Sequence, residues 1–585
     1  MSDATGRPEP GSHLGSLRLN VTVFGLWISL FLSALETSIV STALLSISSS
    51  LHSLKDAGWI VVAYLLTYNS FILVWSKLSD TFGTKVLLIL ANVMFGVFSV
   101  ACAVSQTMEQ LIIFRALQGI GGSGLYSLVF VVLAKIVPMN QLGLYSGVLS
   151  SVFALASLLG PILGGVIVVN TTWRWIFWLN APGVSVAIAL LLYAMPPSQE
   201  RIWDTERLKR VDYIGSVICI AWAIPFVFAL QQGGSKYPWS SGTIIGTLAV
   251  GSCGIVLFAL HQWWESRRDK KETIFPVNAF RSLVVTMMIL SMFALGFSFY
   301  GSIITIPQRF QAVNGVSASR AGVLLLPFTL VSPTFALLAG AAVGKKGSTS
   351  GYLTFIGGIF TVIAMALLGS LPTGTKISNA QFGYQALLGV GVGLFMPPLM
   401  YLLKVEVEDK DVASIMGAMN MARTLGGCIG LAICASVQNA DLSDSLPRFL
   451  SETQIAALHQ SVAILKGLPA DLRLQVVGAY AETYNHQFQA LSGFAGLGVV
   501  TSGLVLAGLI RRGLRKGDES EEDGEEAEGE NERNGEGEDT LGESKDDADG
   551  KEVSNGSRND HEGEKCGRMD GSELQMAEPR GSGIA

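Results

Sequence analysis

Three charged side chains lie inside long apolar runs of this sequence and are its first candidates for chemistry. Glu36 lies in SLFLSALETSIVSTALL, Arg115 in LIIFRALQGIGGSGLYSLVFVV and Arg423 in VASIMGAMNMARTLGGCIGLAI. A charge in the middle of a membrane helix costs about 2.5–3.5 kcal/mol on insertion scales. Residues that costly usually face a cavity or a partner, so these three positions are candidates for function.

Glu36 is the candidate for proton binding. Burial away from water favours the neutral form of a carboxyl group, so Glu36 could bind and release a proton near neutral pH. The alternative is a neutral, hydrogen-bonded glutamic acid that only holds helices together. Proton exchange is our prediction.

The two arginines are candidates for the electrostatic part of this chemistry. A guanidinium stays charged at physiological pH, so Arg115 could bias a nearby carboxyl group towards proton release, or it could snorkel to the headgroups. Gln118 follows one turn later. Arg423 is too deep to snorkel easily, so it is predicted to line the cavity or to pair with a carboxylate, for which Glu36 is one candidate.

A short polar loop could control conformational change. The stretch WSKLSDTFGTKVLL contains Asp80, Gly83 and Lys85 between two apolar runs. Asp80 is predicted to cap the helix that comes next, where the helix dipole favours negative charge, and Gly83 to form the turn. A plain turn is the alternative to a gating function.

A face of small residues lies in the apolar run 143–169. Ala156, Gly160 and Gly164 recur every fourth residue, so a neighbouring helix can approach closely along this face. Pro161 removes a backbone donor, which predicts a bend there. Plain helix packing is the alternative to a function in conformational change.

The elements that position these residues are predicted to be membrane helices. The chain has 585 residues, 50% of them hydrophobic and 15% charged, which excludes an ordinary soluble enzyme. About 20 apolar residues span a bilayer, and the first run is too long for a cleaved signal peptide. Fourteen runs qualify, at about residues 18–47, 58–76, 86–106, 111–136, 143–169, 173–195, 213–232, 241–263, 283–305, 321–343, 351–371, 381–403, 412–437 and 492–510.

The distribution of charge predicts the orientation of these helices. The short loops that lie on the same side as the amino terminus collect most of the Lys and Arg residues, which predicts that both termini are cytoplasmic. The segment 517–585 holds 24 of the 46 acidic residues and few large apolar ones, so it is predicted to be a disordered acidic tail. The outer loop 438–491 contains ETQIAALHQSVAILKGL, whose spacing predicts an amphipathic helix.

Several classes of site are not indicated by the sequence. The six cysteines show no paired or metal-like spacing, and His261 is predicted to be an interfacial residue rather than a ligand. The sequence contains no phosphate-binding loop, catalytic triad or basic nucleic-acid patch. We therefore expect no metal, no cofactor, no nucleic-acid partner and no enzymatic activity.

Seven short motifs, each on the expected span, together resemble a known family. They are LETSIVSTAL, SKLSDTFGTK, RALQGIGG, LGPILGG, WRWIFWLNAP, LQQGGSKYPWSS and IPQRFQAVNGVSASRAGVLLLP. This series resembles the fourteen-span drug:proton antiporter branch of the major facilitator superfamily, particularly fungal toxin and multidrug efflux pumps. The resemblance covers about residues 18–510.

Four positions depart from the pattern of that family. Ser76 stands where the loop motif has its first glycine, and Thr84 stands where a basic residue is usual. Ser41 and Leu45 replace the usual asparagine and proline of the first-span motif. These departures concern gating and substrate contact rather than the fold.

The resemblance implies an all-α fold of two six-helix bundles with two helices inserted between them. The implied segments are a cytoplasmic amino-terminal stretch 1–17, a first bundle 18–195, inserted helices 213–263, a second bundle 283–510 and the tail 517–585. The implied functions are proton coupling for Glu36 and Arg115, cavity lining for Gln118 and Arg423, and conformational control for Asp80, Gly83, Lys85, Gly160, Pro161 and Gly164.

The expected activity is export of amphipathic organic compounds, such as drugs, toxins or secondary metabolites, by alternating access coupled to protons. The expected setting is the plasma membrane, with a small-molecule substrate, protons and the lipid bilayer as partners and the chain acting as a monomer. Two alternatives stay open. One is a proton-coupled importer of an iron chelate or nutrient, and the other is a non-transporting receptor whose acidic tail binds partners.

Overall fold

A computed structural model describes residues 16–539, except 54–56, 197–210, 235, 269–272, 276, 409–410, 452–453 and 456–468. The chain divides after Leu514 into two compact units, and the first unit contains the helix bundles.

Helices form almost all of the described chain. In the lipid phase each backbone donor and acceptor must be satisfied within the protein, and a helix does this within one segment. Their bounds are α1 Ser16–Ser50, α2 Ala57–Phe82, α3 Thr84–Val104, α4 Met108–Ile136, α5 Met139–Asn170, α6 Arg174–Trp178, α7 Asn180–Ala194, α8 Tyr213–Gln232, α9 Gly242–Ser266, α10 Leu283–Ala312, α11 Ala318–Leu324, α12 Leu326–Lys345, α13 Ser350–Leu368, α14 Ala380–Glu406, α15 Val412–Ser445 and α16 Ala470–Asp539.

The described residues contain fourteen helical segments that are long and apolar enough to cross a membrane, so the predicted number is confirmed. The sixth segment is a pair of helices, α6 and α7, which meet at Leu179. The tenth predicted span, 321–343, is likewise divided at Leu325 between α11 and α12. Polar side chains cap several of the helices; for example, Ser241 accepts from the backbone N–H of Ile244 at the start of α9.

The helices pack as two bundles with an inserted pair. In the first bundle α1 packs on α5 and α7, and α4 packs on α2 and α3. In the second, α10 packs on α15, and α14 packs on α12 and α13. The last span joins the second bundle, since Phe297 and Phe494 stack with ring centroids 4.6 Å apart and Ser291 donates to Thr501. Helices α5 with α12 and α2 with α15 form the most extensive contacts between the bundles.

The outer loop differs from its prediction. Helix α15 continues to Ser445 and α16 begins at Ala470, so much of the predicted loop 438–491 is helical. The reason is apolar spacing in the first turns of α16, where Val476, Val477 and Tyr480 are buried. The predicted amphipathic helix falls mostly on 456–468, outside the described residues.

The last helix also enters the predicted tail. Its backbone continues to Asp539, so residues 517–539 are helical where the composition predicts disorder. Residues 540–585 of the predicted tail lie outside the described residues.

The inserted helices α8 and α9 are joined by a buried carboxylate that no motif of the sequence marks. Asp212 accepts from the backbone N–H of Gly215 at 2.8 Å and from the side-chain amide Nε2 of Gln262 at 2.8 Å, and it lies 2.9 Å from His261 Nε2. Its side chain is fully buried. His261, predicted to be an interfacial residue rather than a ligand, thus also contacts Asp212 at the start of the neighbouring helix.

Replacing Asp212 with alanine is expected to destabilise this helix pair by about 2 kcal/mol, because three polar groups lose a charged hydrogen-bond partner. The readout is the midpoint of thermal denaturation of the purified protein in detergent. Ser216→Ala is the control, since the Ser216 hydroxyl donates only to the Asp212 backbone oxygen among the described contacts. Equal midpoints for Asp212→Ala and the control would contradict this interpretation.

Candidate functional site

A buried ion pair forms the centre of the first bundle. Arg115 Nη1 of α4 donates to Glu36 Oε1 of α1 at 2.5 Å, and neither side chain is more than 1% exposed. Asn180 Nδ2, at the start of α7, donates to the other carboxylate oxygen, Oε2, at 2.6 Å. The pair therefore connects three membrane-spanning elements of one bundle.

A second set of polar groups surrounds this pair. Gln118 Oε1 accepts from Arg115 Nη1 at 2.8 Å, and Gln118 Nε2 donates to Ser99 Oγ of α3 at 2.7 Å. Asn180 also donates to Ser99, at 3.2 Å. Arg115 Nε donates to the backbone oxygen of Ile60 at 2.9 Å. We call Glu36, Arg115, Gln118, Asn180 and Ser99 the Glu36 cluster.

The hydrogen bonds indicate the charge state that this geometry stabilises. Both Glu36 oxygens accept from N–H donors, the pattern of an ionised carboxylate. A buried pair adds little net stability because desolvation offsets the charge attraction, but loss of one charge leaves the other uncompensated, typically at a cost of about 3–5 kcal/mol. The cluster can therefore couple protonation of Glu36 to the packing of α1, α4 and α7.

Arg115 lies inside the first bundle, in contact with Glu36, rather than at the membrane surface. It is 1% exposed, and its guanidinium carbon lies 4.3 Å from the Tyr64 ring centroid and 5.7 Å from that of Phe177. The alternative of an arginine that reaches the headgroups is wrong for this geometry. Gln118 lies in the Glu36 cluster, where it contacts Arg115 and Ser99.

Close helix packing holds the cluster together. A Cβ atom on Gly160 of α5 would lie 2.1 Å from Ser38 Oγ, so glycine is needed where α5 crosses α1 two residues beyond Glu36. Ser38 also donates to the backbone oxygen of Ala156 at 2.9 Å. The small-residue face thus packs within the first bundle. Gly164 is buried, and α5 continues as helix through Pro161.

The polar loop has a different geometry from its prediction. Asp80 lies in the last turn of α2, so it does not cap α3; Gly83 holds the capping position and has no side chain to do so. Asp80 instead accepts from Lys135 Nζ at 3.1 Å and from Ser414 Oγ of the second bundle at 3.4 Å. Lys85 donates to the backbone oxygens of Leu192, at 3.2 Å, and Met195 at the end of α7.

Gly83→Ala is expected to destabilise this turn by about 1–2 kcal/mol, since Gly83 has φ of 85° and an L side chain is strained there. The midpoint of thermal denaturation measures the effect. Gly246→Ala is the matched control because a Cβ at that helical glycine meets nothing within 4 Å. A midpoint unchanged from wild type in Gly83→Ala would show that the turn tolerates a side chain.

The two bundles touch closely at one end, which we call the inner end and which the sequence predicts to face the cytoplasm. A Cβ on Gly143 of α5 would lie 2.4 Å from the Gly340 Cα of α12, and a Cβ on Gly340 would lie 2.1 Å from Gly143. Lys404 Nζ of α14 donates to the Val137 backbone oxygen at 3.0 Å. These contacts, with Asp80 and Ser414, close the inner end. The sequence alone does not identify Gly143 and Gly340 as contact residues. The one sign of this role is that each is a glycine near the end of a span.

Arg423 lies deep between the bundles and is 2% exposed. Its guanidinium carbon lies 5.2–5.8 Å from four ring centroids: Tyr126, Phe153, Phe299 and Tyr300. Among the described residues it forms no ion pair, so the suggested pairing with Glu36 is wrong in this geometry. We call Arg423 and these four rings the Arg423 cage.

A row of tyrosines joins the two arginines. Tyr64 lies against Arg115, Tyr68 stacks on Tyr64 with centroids 5.6 Å apart, and Tyr126 is 5.8 Å from Tyr68 and contacts Arg423. All three rings are buried. The Glu36 cluster and the Arg423 cage are therefore parts of one packed interior.

Comparison with known proteins gives the family. The model of the Major Facilitator Superfamily matches residues 26–431. This chain belongs to the major facilitator superfamily, a family of membrane transporters, which confirms the resemblance of its motifs. It is therefore a multi-pass integral membrane protein.

Curated relatives cover most of the chain. The MFS-type transporter FPY5 of Fusarium mangiferae is 39% identical over 490 residues, 82% of each chain. The efflux pump dotC of Dothistroma septosporum is 32% identical, over 72% of this chain and 71% of its own. The efflux pump FUS6 of Gibberella moniliformis is 31% identical, over 84% of this chain and 88% of its own.

Solved structures share the fold. A bacterial homologue of the human lysosomal transporter Spinster superposes with a TM-score of 0.53 at 14% identity, over 85% of this chain and 98% of its own. The human organic anion transporter MFSD10 gives 0.52 at 13% identity, over 84% of this chain and 100% of its own. At these identities the likeness establishes the fold alone.

Proposed function

We propose that this chain is a proton-coupled secondary transporter that exports amphipathic organic compounds, such as drugs, toxins or secondary metabolites. One observation carries the coupling: the buried Glu36–Arg115 pair places a titratable carboxyl group and a permanent charge in contact within the membrane-spanning region. The direction is supported by relatives that bear the name efflux pump.

Proton binding at Glu36 is the coupling step. Uptake of a proton neutralises the carboxylate and ends its charge attraction to Arg115, while Arg115 keeps its bonds to Gln118 and the Ile60 backbone. Helix α1 then loses a charged link to α4. Since Gly160 packs against α1 beside Ser38, a shift of α1 also reaches α5.

Alternating access results from movement of the bundles 18–195 and 283–510, with the inserted helices 213–263 between them in sequence. The inner-end contacts of Gly143 with Gly340 and of Asp80 with Ser414 hold the transporter closed on the cytoplasmic side and must separate for substrate to enter. Protons that move inward supply about 2.3 kcal/mol per charge for each 100 mV, so no nucleotide is required.

The proposed setting is the plasma membrane, with both termini cytoplasmic and the chain acting as a monomer that has no enzymatic activity. The inner end carries Lys77, Lys85, Lys135 and Lys404, which supports this orientation by the positive-inside rule. The proton route is proposed to open to the opposite side, nearer the starts of α2 and α4 where Ile60 and Arg115 lie.

The test is efflux of a panel of amphipathic drugs and fungal metabolites from cells that express the full chain, with and without a protonophore. We expect loss of at least one compound from the cells, abolished by the protonophore and absent from cells without the protein. Accumulation instead of loss would favour the importer. If no compound moves, and deletion of 517–585 destroys the cellular function of the protein, the receptor would be favoured.

A further inference from the structure

The Arg423 cage lacks the partner that a buried charge requires. Arg423 Nη1 contacts Met396 Sδ at 3.7 Å, a weak acceptor, while Nε and Nη2 have no hydrogen-bond partner of normal geometry among the described residues. The residue is 2% exposed. More than nine-tenths of buried polar groups in proteins are hydrogen-bonded, so two open guanidinium donors call for an explanation.

Other unpaired polar atoms lie around the same place. The Tyr126 hydroxyl forms no hydrogen bond of normal geometry, although its ring contacts Arg423. Asn420 is one turn before Arg423 on α15 and is fully buried, and neither of its side-chain amide atoms has a hydrogen-bond partner among the described residues. The hydroxyl and the amide can each donate or accept, whereas the guanidinium can only donate, so the open Arg423 groups require an acceptor.

The geometry of these donors indicates the chemistry of the acceptor. Nε and one Nη of a guanidinium form a planar fork that matches the two oxygens of a carboxylate. The aromatic rings from α4, α5 and α10 around this fork offer apolar faces at 5.2–5.8 Å. A ligand that satisfies both features has an oxyanion attached to a flat apolar body.

We propose that the Arg423 cage is the binding site for the oxyanion of the exported substrate, a carboxylate on a planar amphipathic body. This inference rests on the proposed function and narrows its substrate class to organic anions. Because Phe153 and Tyr126 belong to the first bundle and Arg423, Phe299 and Tyr300 to the second, a bound anion contacts both bundles at once.

The test compares each of several aromatic acids with its primary amide: naphthalene-1-acetic, indole-3-acetic and pyrene-1-butyric acid. Binding is measured to the full chain in phosphatidylcholine nanodiscs, with empty nanodiscs subtracted. We expect at least one acid to bind about tenfold or more tightly than its amide. Arg423→Gln should weaken acid binding by roughly thirtyfold and leave amide binding unchanged. Arg423→Lys should keep part of the preference.

Arg309→Gln is the matched control, since Arg309 is also 2% exposed but donates to the Pro372 backbone oxygen and lies outside the cage. It should keep the preference for acids. Retained amide binding shows that the Arg423→Gln variant is folded. If that variant is not folded, Arg423→Lys takes its place in the comparison. The inference would be overturned if the wild-type protein bound no acid more tightly than its amide. It would also be overturned if the preference for acid over amide survived in Arg423→Gln.

The outcomes separate this inference from the proposed function. Proton-dependent export of neutral amphiphiles without any preference for acids would contradict the anion site but support the export function. Acid binding that depends on Arg423, in a chain that exports nothing, would contradict the export function but support the anion site.

Discussion

Glu36→Gln is expected to reduce proton-driven export by about a hundredfold or more, while the protein still inserts. Glutamine keeps the size of glutamate and can accept from Arg115, but it cannot bind and release a proton, and it leaves the Arg115 charge unpaired. The measurement is the initial efflux rate per amount of inserted protein. Arg115→Ala should be as inactive, because Glu36 then loses its charge partner.

The control for this prediction is Glu406→Gln, the same change at a carboxylate that pairs with Arg512, a half-exposed arginine on α16. The Glu406 side chain is 7% exposed, but its partner Arg512 is 53% exposed and can be solvated once Glu406 is neutral, so export should stay near the wild-type rate. Wild-type export in Glu36→Gln would show that coupling lies elsewhere, and loss of export in Glu406→Gln would show that the assay reports charge removal in general.

Gly143→Leu is expected to lower the export rate about tenfold or more. A Cβ at position 143 would lie 2.4 Å from the Gly340 Cα, so a leucine forces α5 and α12 apart at the inner end and disfavours the closed state. Efflux rates and labelling of inner-end residues by an impermeant reagent in inside-out vesicles measure the effect. Gly340→Leu should behave alike.

Gly165→Leu is the matched control, because it makes the same change in the same helix where a Cβ would meet nothing within 4 Å. Its export rate should stay within about twofold of wild type if the inner-end contact, rather than the glycine itself, matters. Full activity and unchanged labelling in Gly143→Leu would contradict a closed inner end that depends on this contact.

The membrane helices could be predicted from the sequence because their signal is local. Each span needs about 20 apolar residues, and every one of the fourteen runs shows this without reference to its neighbours. The insertion cost of a charge is local too, so Glu36, Arg115 and Arg423 could be selected. Their contacts could not be predicted, since Glu36 and Arg115 are 79 positions apart.

The differences arise where distant elements meet. Asn180 stands among interface aromatics in the sequence, yet it donates to Glu36 across 144 positions. Local spacing predicts that Asp80 caps the nearest helix end, whereas its partners Lys135 and Ser414 come from α4 and α15. Asp212 lies between apolar runs, where a polar residue is expected in a loop. Such contacts depend on how the helices pack, and this packing cannot be read from a single sequence.

The most direct test of the proton exchange is the movement of protons in proteoliposomes. Vesicles hold purified protein, a pH-sensitive dye and a compound from the exported panel, with the membrane potential clamped, and are diluted into compound-free buffer at equal pH. We expect the interior to acidify as the compound leaves, in wild-type vesicles but neither in Glu36→Gln nor in empty ones. Departure of the compound with an unchanged or more alkaline interior would contradict proton antiport.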